Sequence, residues 1–327
     1  MSSSVVIERP GPLCTVQDLG RRTGRRVGVA PGGAMDQRAC LWANYLLGNS
    51  PGDAVLEISL GGARIRFDAS AVIALTGAEC GATLDDEPVG NWRSVRVSAG
   101  QVLSLQFSVT GMRAYIAFPG GLAVPRMFGS ASVVLREGLP GRLGRPARAG
   151  DRLEWLGRSD TALRSVPAVH RPQTGGVIEL PLIVGYEWEM FSTADRDRLL
   201  SSEWTLGSQS DRVATRLSGA VLESGPAVLD SVPLVDGTVQ VPGDGRPLVF
   251  MRDRPTIGGY PKLGSVDPIA LDRLAQARPG GLIRFVPADP PSVLSRIRRR
   301  EAFFGLDAER DRSPSPGRSP GTSVGAS

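Results

Sequence analysis

The sequence predicts a mainly β protein, built from many short strands and only a few short helices. Three observations predict it. Short apolar or alternating runs recur along the chain, each bounded by Gly, Pro, Asp or Asn, the punctuation of strand and turn. The 41 glycines and 26 prolines are spread between those runs rather than gathered into one low-complexity tract. Helical spacing of apolar residues appears in only a few places.

The expected strands are 4–8, 55–67, 71–76, 94–97, 102–107, 113–118, 152–155, 177–184, 247–251 and 282–286. Glycine turns lead into three of them in a shared local form: Ala99-Gly100-Gln101, Ala149-Gly150-Asp151 and Pro279-Gly280-Gly281. The repeated turn points to related halves. Residues 35–47 place Cys40, Leu41, Ala43, Tyr45, Leu46 and Leu47 on a helix, with Asp36 to cap its start and Gly48 to stop it. A second helix is expected over 193–200 after Ser192. A third runs from Asp267-Pro268 to Ala277, with the aspartate as cap and proline in the first turn. A final amphipathic helix covers 291–304.

These elements divide the chain into an N-terminal unit (1–160), a linker (161–176), a C-terminal unit ending in the last helix (177–304) and a tail (305–327). The tail is Ser/Pro/Gly/Arg-rich, can bury almost nothing and is expected to be disordered. Neither a basic-then-apolar leader nor an apolar run of about 18 residues is present, so a soluble, unexported protein with no membrane contact is expected. Net charge is +5. Arg296, Arg298, Arg299 and Arg300 account for part of the excess without interleaved aromatics, which reads as a solvated helix face rather than a nucleic-acid site.

Several chemistries are excluded. There is no phosphate loop of the Walker type, no complete dinucleotide fingerprint and no G-x-S-x-G elbow. The only histidine, His170, falls in the linker, where a solvated or locally bonded role outweighs general base catalysis. Cys14, Cys40 and Cys80 are odd in number and far apart, which fits reduced thiols rather than a disulfide framework or a zinc site. No metal site is expected on this chain.

Among 38 lysines and arginines only Lys262 is lysine. A chain that uses arginine for its ordinary cations and keeps one compact ammonium draws attention to that position. The ammonium follows Thr256-Ile257-Gly258-Gly259-Tyr260-Pro261. Gly258 and Gly259 allow backbone amides to approach an anion, Thr256 and Tyr260 offer hydroxyls, and an exposed Lys262 would hold a carboxylate, a phosphate or a developing oxyanion. The competing reading is a glycine-rich turn with a surface lysine. Asp253, after an apolar strand, reads as a base, a magnesium–nucleotide ligand or a turn cap. Arg212 reads either as a bidentate carboxylate clamp or as a partner of its own loop. Gln17, placed in a loop, and Gln240, on a strand, are candidate readers of an amide. Asp18 braces a turn beside Gln17, and Asp36 is more a helix cap than a catalyst.

Several segments in order resemble one family: Gly11 to Arg21, Gly32-Gly33-Ala34-Met35-Asp36, Asn44 with Gly48-Asn49, and Leu56-Glu57. Gly120-Gly121, Ser210-Asp211-Arg212, Val239 to Pro242, and Asp253 with Thr256 to Lys262 continue the set. The family contains the C subunit of 5-oxoprolinase, the KipI antagonist KipA and the urea carboxylase carboxyltransferase domain. The resemblance runs from about Val5 to Phe285 and departs from the family's usual Asp-Arg-Gln-Thr-Thr-Gly-Gly-Tyr at Pro255 and Ile257. It implies two cyclophilin-like β-barrel domains and a cytoplasmic location. The implied partners are a KipI-like protein, equivalent to the B subunit of 5-oxoprolinase, and the A subunit of the same enzyme as a further one.

The resemblance also implies a shared site that opens 5-oxoproline to glutamate with ATP and Mg²⁺ held in the complex. Lys262, Asp253 and Tyr260 would be catalytic; Gln17, Asp18, Asp36, Arg212, Gln240, Thr256, Gly258 and Gly259 would bind substrate or nucleotide. A small amide or lactam is the expected substrate, and no biotin is expected on this chain. The family's other branches imply a KipA-like regulator or the carboxyltransferase part of a urea or amide carboxylase.

Overall fold

The apolar stretch 55–67 is two strands. Leu60, Gly61 and Gly62 all carry positive φ, and the chain turns there. A Cβ on Gly61 would lie 2.0 Å from the carbonyl oxygen of Gln106, so only glycine fits. The turn sends Val55–Ser59 and Ala63–Phe67 into different sheets. In this computed structural model the described residues are 3–139, 144–157, 161–173, 175–223 and 229–306; the expected tail beyond 306 lies outside them.

One sheet has six strands in the order Arg152–Glu154, Ser4–Pro10, Ala63–Phe67, Val102–Ser104, Thr83–Leu84 and Glu87–Pro88. The other has five, in the order Leu13–Gln17, Val55–Ser59, Thr110–Ala117, Ala71–Glu79 and Arg93–Val97. Val5, Ile7, Ile65 and Phe67 from the first sheet meet Val16, Leu56, Ile58, Ile73 and Ile116 from the second in one buried core. The N-terminal unit is thus two sheets around a shared core rather than one closed ring of hydrogen bonds.

The C-terminal unit is a closed seven-stranded barrel. Its order is Ile178–Val184, Lys262–Val266, Thr238–Gln240, Leu248–Phe250, Ala214–Ser218, Trp204–Ser210 and Leu282–Pro287. The ring closes by parallel pairing of the first and last of these, Leu180 opposite Phe285. Leu180, Leu182, Trp204, Leu217, Val239, Val249 and Phe285 fill it. The mainly β expectation holds; among the described residues the α-helices are four.

Helix α1 (Gln37–Leu47) is capped by Asp36, which accepts from Ala39 N, and ends at Gly48 in the left-handed conformation. Helix α2 (Thr193–Ser201) is capped by Ser192. Helix α3 (Ala270–Gln276) starts later than expected, and Asp267 is not its cap; that carboxylate instead accepts from Ile269 N in the preceding turn. Helix α4 (Pro290–Phe304) is capped by Asp289. Its arginines are not all solvated: Arg296 pairs with Asp267 at 2.8 Å and Arg300 with Asp272 at 3.1 Å, which holds α4 against the α3 segment. His170 lies against Trp42 and Phe303.

All three cysteines are free and buried. Burial pushes the Cys14 thiol up to about 12 and that of Cys80 up to about 11, so neither supplies a thiolate near neutrality. Among the described residues, no helix is long and apolar enough to cross a membrane.

Candidate functional site

Glu57 sits in the middle of a buried strand, between Leu56 and Ile58, and is 1% exposed. A carboxylate there needs partners. Its Oε2 accepts from Met35 N at 2.8 Å and from the Tyr115 hydroxyl at 2.7 Å. Its Oε1 meets Arg212 Nη1 at 2.5 Å, and Arg212 comes from the C-terminal barrel. Arg212 also grips Asp253 with two parallel bonds of 2.9 Å and donates from Nη2 to the Gly33 carbonyl at 2.7 Å. Burial pulls the Arg212 guanidinium down, but Asp253 and Glu57 outweigh it and hold it above its usual range. Asp253, raised by burial, is held back by Arg212.

This group clamps the two units together. Arg212 does grip a carboxylate bidentately, but it is the protein's own Asp253. Each oxygen of Asp253 accepts one bond from that fork, so a base or metal-ligand role would have to compete with a buried ion pair.

Asp36 extends the seam. Beyond its cap bond, its Oδ2 accepts from Gln276 Nε2 at 2.9 Å, and Gln276 Oε1 accepts from Met112 N and Arg113 N. Arg113 donates in turn to the Ala275 carbonyl. Burial first, and the neighbouring Asp272 second, push the Asp36 carboxyl up to about 6. The unfolded value is about 3.9, so ionisation opposes folding. The stabilisation is complete below about pH 3.9 and is lost as pH rises through about 6. Asp36→Asn keeps a cap acceptor and is expected to flatten the fall in Tm between about pH 4 and 6.5 relative to wild type. Equal slopes in the two proteins would assign that fall to other carboxyls.

Lys262 is not an exposed cation. It opens its strand at 7% exposure, and its Nζ meets Glu187 Oε1 at 3.1 Å and the Tyr260 carbonyl at 3.0 Å. Glu187 Oε2 also accepts from Lys262 N at 2.6 Å. Two of the three ammonium donors are occupied, leaving one. Gln240, on the neighbouring strand as expected, donates to the same Tyr260 carbonyl at 3.1 Å. The glycines are needed for close approach: a Cβ on Gly258 would sit 2.9 Å from Gln240 Nε2, and one on Gly259 would sit 2.7 Å from the Leu229 carbonyl oxygen. The Thr256 carbonyl accepts from Leu234 N, and the Tyr260 ring is half-exposed.

Gln17 is on a strand, not in a loop. Its Nε2 donates to Thr15 Oγ1 and the Val133 carbonyl, while its buried Oε1 has no partner. Asp18 is a turn brace. Its carboxylate accepts from Gly20 N, Ala131 N, Ser130 and Ser132, with Arg126 3.3 Å away. Among the described residues no hydrogen bond or ion pair joins the Lys262 group to Arg212 or Asp253.

A further group beside Asp253 was not legible from the sequence. Arg252 and Arg254 are both buried and share one carboxylate, Asp236. Arg254 Nε lies 3.3 Å from Asp236 Oδ1, within ion-pair range, but is not aligned as a hydrogen bond. Arg254 Nε and Nη1 and Arg252 Nε are buried without hydrogen-bond acceptors, as is Nε of Arg21, and Arg252 Nη2 has only the Asp272 carboxylate, 3.6 Å away and not aligned as a hydrogen bond. Burial, opposed by Asp236 and reinforced by Arg25 and Arg252, lowers the Arg254 guanidinium below its usual range. Unanswered buried donors of one sign suit an anion.

A family model described as carboxyltransferase domain, subdomain A and B, matches residues 27–287. The chain belongs to this family. It is 37% identical over 299 residues to the C subunit of 5-oxoprolinase from Escherichia coli (strain K12), covering 91% of this chain and 96% of that protein. The Haemophilus influenzae protein of the same name is 35% identical, covering 89% and 93%. Among solved structures, the Kluyveromyces lactis urea carboxylase aligns with a TM-score of 0.87 at 25% identity, and TTHA0988 with 0.79 at 35%. The match covers 93% and 87% of this chain, but only 29% and 56% of those longer chains.

This carboxyltransferase domain therefore places its motif residues in three settings: the Arg212 clamp at the seam, the Lys262 end of the barrel, and the Gln17–Asp18 turn. Glu57, Tyr115, Glu187, Gln276 and the Arg252–Arg254 pair complete them. The signal for Glu57 was a lone acid inside an apolar strand. Glu187 carries no comparable signal, because it lies 75 residues from the lysine it pairs with.

Proposed function

We propose that this chain is the carboxyltransferase-domain component of a cytoplasmic, ATP-dependent 5-oxoprolinase-type complex that opens the lactam of 5-oxoproline to glutamate. The observation that carries the reading is the near end-to-end match to the C subunit of 5-oxoprolinase, 96% of its length at 37% identity. The partners would be a KipI-like protein in the place of the B subunit, together with the A subunit. The chain is expected to be silent alone, since its buried Arg212, Asp253 and Lys262 are already engaged with the protein itself.

The chain's own part is recognition. The unpartnered donors of Arg252 and Arg254 fit the carboxylate of 5-oxoproline or a phosphate, and the remaining Lys262 N–H and the Tyr260 hydroxyl suit the amide end. Mg²⁺-bound ATP, held in the complex, supplies the phosphoryl group that drives ring opening. A buried Lys262 paired with Glu187 does not suit covalent attachment of biotin.

The matched domain in urea carboxylase supports a second reading, the carboxyltransferase part of a urea or amide carboxylase. ATP hydrolysis by the complex co-expressed with its genomic neighbours separates the two. Stimulation by 5-oxoproline supports the first reading. Stimulation by urea with bicarbonate, and not by 5-oxoproline, supports the second. A stable complex with a KipI-like partner but no substrate-dependent hydrolysis would favour the KipA-like regulator.

A further inference from the structure

A cavity of about 650 Å³ opens between the two units, walled by Ala78 and Trp92 from one and by Ile178, Arg273 and Gln276 from the other. It shares no lining residue with the Lys262 group or with Arg252 and Arg254. Arg38, in the first turn of α1, also lines it, and its Nε and Nη2 are buried with no acceptor. Those two nitrogens form one edge of the guanidinium, an edge that takes a carboxylate through two parallel bonds. Buried donors left open in this way are costly unless something fills them.

The other ionisable groups on the cavity are Arg171, Arg273, Arg278 and Glu79. Arg171 is committed to the Val166 carbonyl, and Arg278 to Gly111 and Ser108. Four arginines against one glutamate leave the cavity cationic.

Trp92 supplies a flat apolar wall at a conformational cost. It is held at φ 59, in the left-handed region, which a bulky residue rarely occupies. Asn91 fixes the turn: its amide donates to the carbonyls of Gly77 and Ala78, and its oxygen accepts from Trp92 N. Strain of this kind persists where the surroundings over-determine it, and it gathers at ligand sites.

We infer that this cavity is a binding site for a small organic anion, one carboxylate on a flat apolar body, with Arg38 as the carboxylate fork and Trp92 as the wall. Nothing in this inference depends on the 5-oxoprolinase reading. Because both units line the cavity, an occupant touches both and adds to their contact.

Titration calorimetry on the full chain tests it, with benzoate, its neutral isostere benzamide and inorganic phosphate as probes. Benzoate is expected to bind, and benzamide and phosphate to bind at least tenfold more weakly. Arg38→Gln should lower benzoate affinity tenfold or more, with Arg38→Lys in between because an ammonium lacks the fork. If Arg38→Gln does not fold, Arg273→Gln carries the same test. Equal binding of benzoate and benzamide, phosphate as tight as benzoate, or benzoate affinity unchanged by the glutamine variants would each overturn the assignment.

Discussion

Arg212→Met is expected to destabilise the protein by about 3–5 kcal/mol, the usual cost of stranding a buried charge. The substitution leaves Asp253 without its fork and Glu57 without its closest cation, since Arg113 Nε stands 4.0 Å away. It also cuts the Gly33 bond that ties the N-terminal loop to the barrel. Denaturant unfolding measures the loss, and limited proteolysis should show cleavage between the units at lower denaturant than in wild type. Adding Glu57→Gln and Asp253→Asn should recover part of the stability, because the two stranded carboxylates are then neutral while Arg113 loses Glu57 and keeps the Ala275 carbonyl. A single variant that loses less than about 1 kcal/mol would show that the clamp is dispensable.

Lys262→Met is expected to cost a similar amount, about 3–5 kcal/mol, because Glu187 is then buried without its cation. Lys262→Arg puts a longer, planar group at a 7% exposed position and should cost about 1–3 kcal/mol. Pairing Lys262→Met with Glu187→Gln removes both charges and should restore most of the melting midpoint. Under the proposed function, turnover of the assembled complex should still fall by about a hundredfold or more in that double variant, the scale of losing one aimed donor. Near-normal turnover in a well-folded double variant would make Lys262 a structural residue and move the search to Arg252 and Arg254.

What was legible in the sequence was what local chemistry specifies. Asp36 and Gly48 bracket α1, and Ser192 starts α2, because caps act within a few residues. The third helix was misread at its start because Asp267-Pro268 looks like a cap but closes a turn two residues earlier. The break in 55–67 is marked in the sequence only by Gly61-Gly62, with apolar residues continuing on both sides, and the positive φ of Leu60, Gly61 and Gly62 makes it a turn. Strands such as Leu13–Gln17 and Lys262–Val266 carry polar residues on short segments and escaped a hydrophobicity reading.

The motif residues stand out in the sequence, but their neighbours do not. Pairings such as Arg212 with Glu57, 155 residues apart, depend on how the two units dock. Exposure is not encoded locally: a lone lysine after two glycines reads as a solvent-facing tip, whereas Glu187, 75 residues away, buries it.

The central claim is that this carboxyltransferase domain works within a larger complex in opening 5-oxoproline. The most direct measurement is glutamate formed from 5-oxoproline and ATP by the complex assembled with the proposed KipI-like and A-subunit partners, with and without this chain. Glutamate should accumulate only when the chain is present with its partners, and the isolated chain should form none. Equal glutamate from the partners without this chain, or none from the full assembly, would contradict the account.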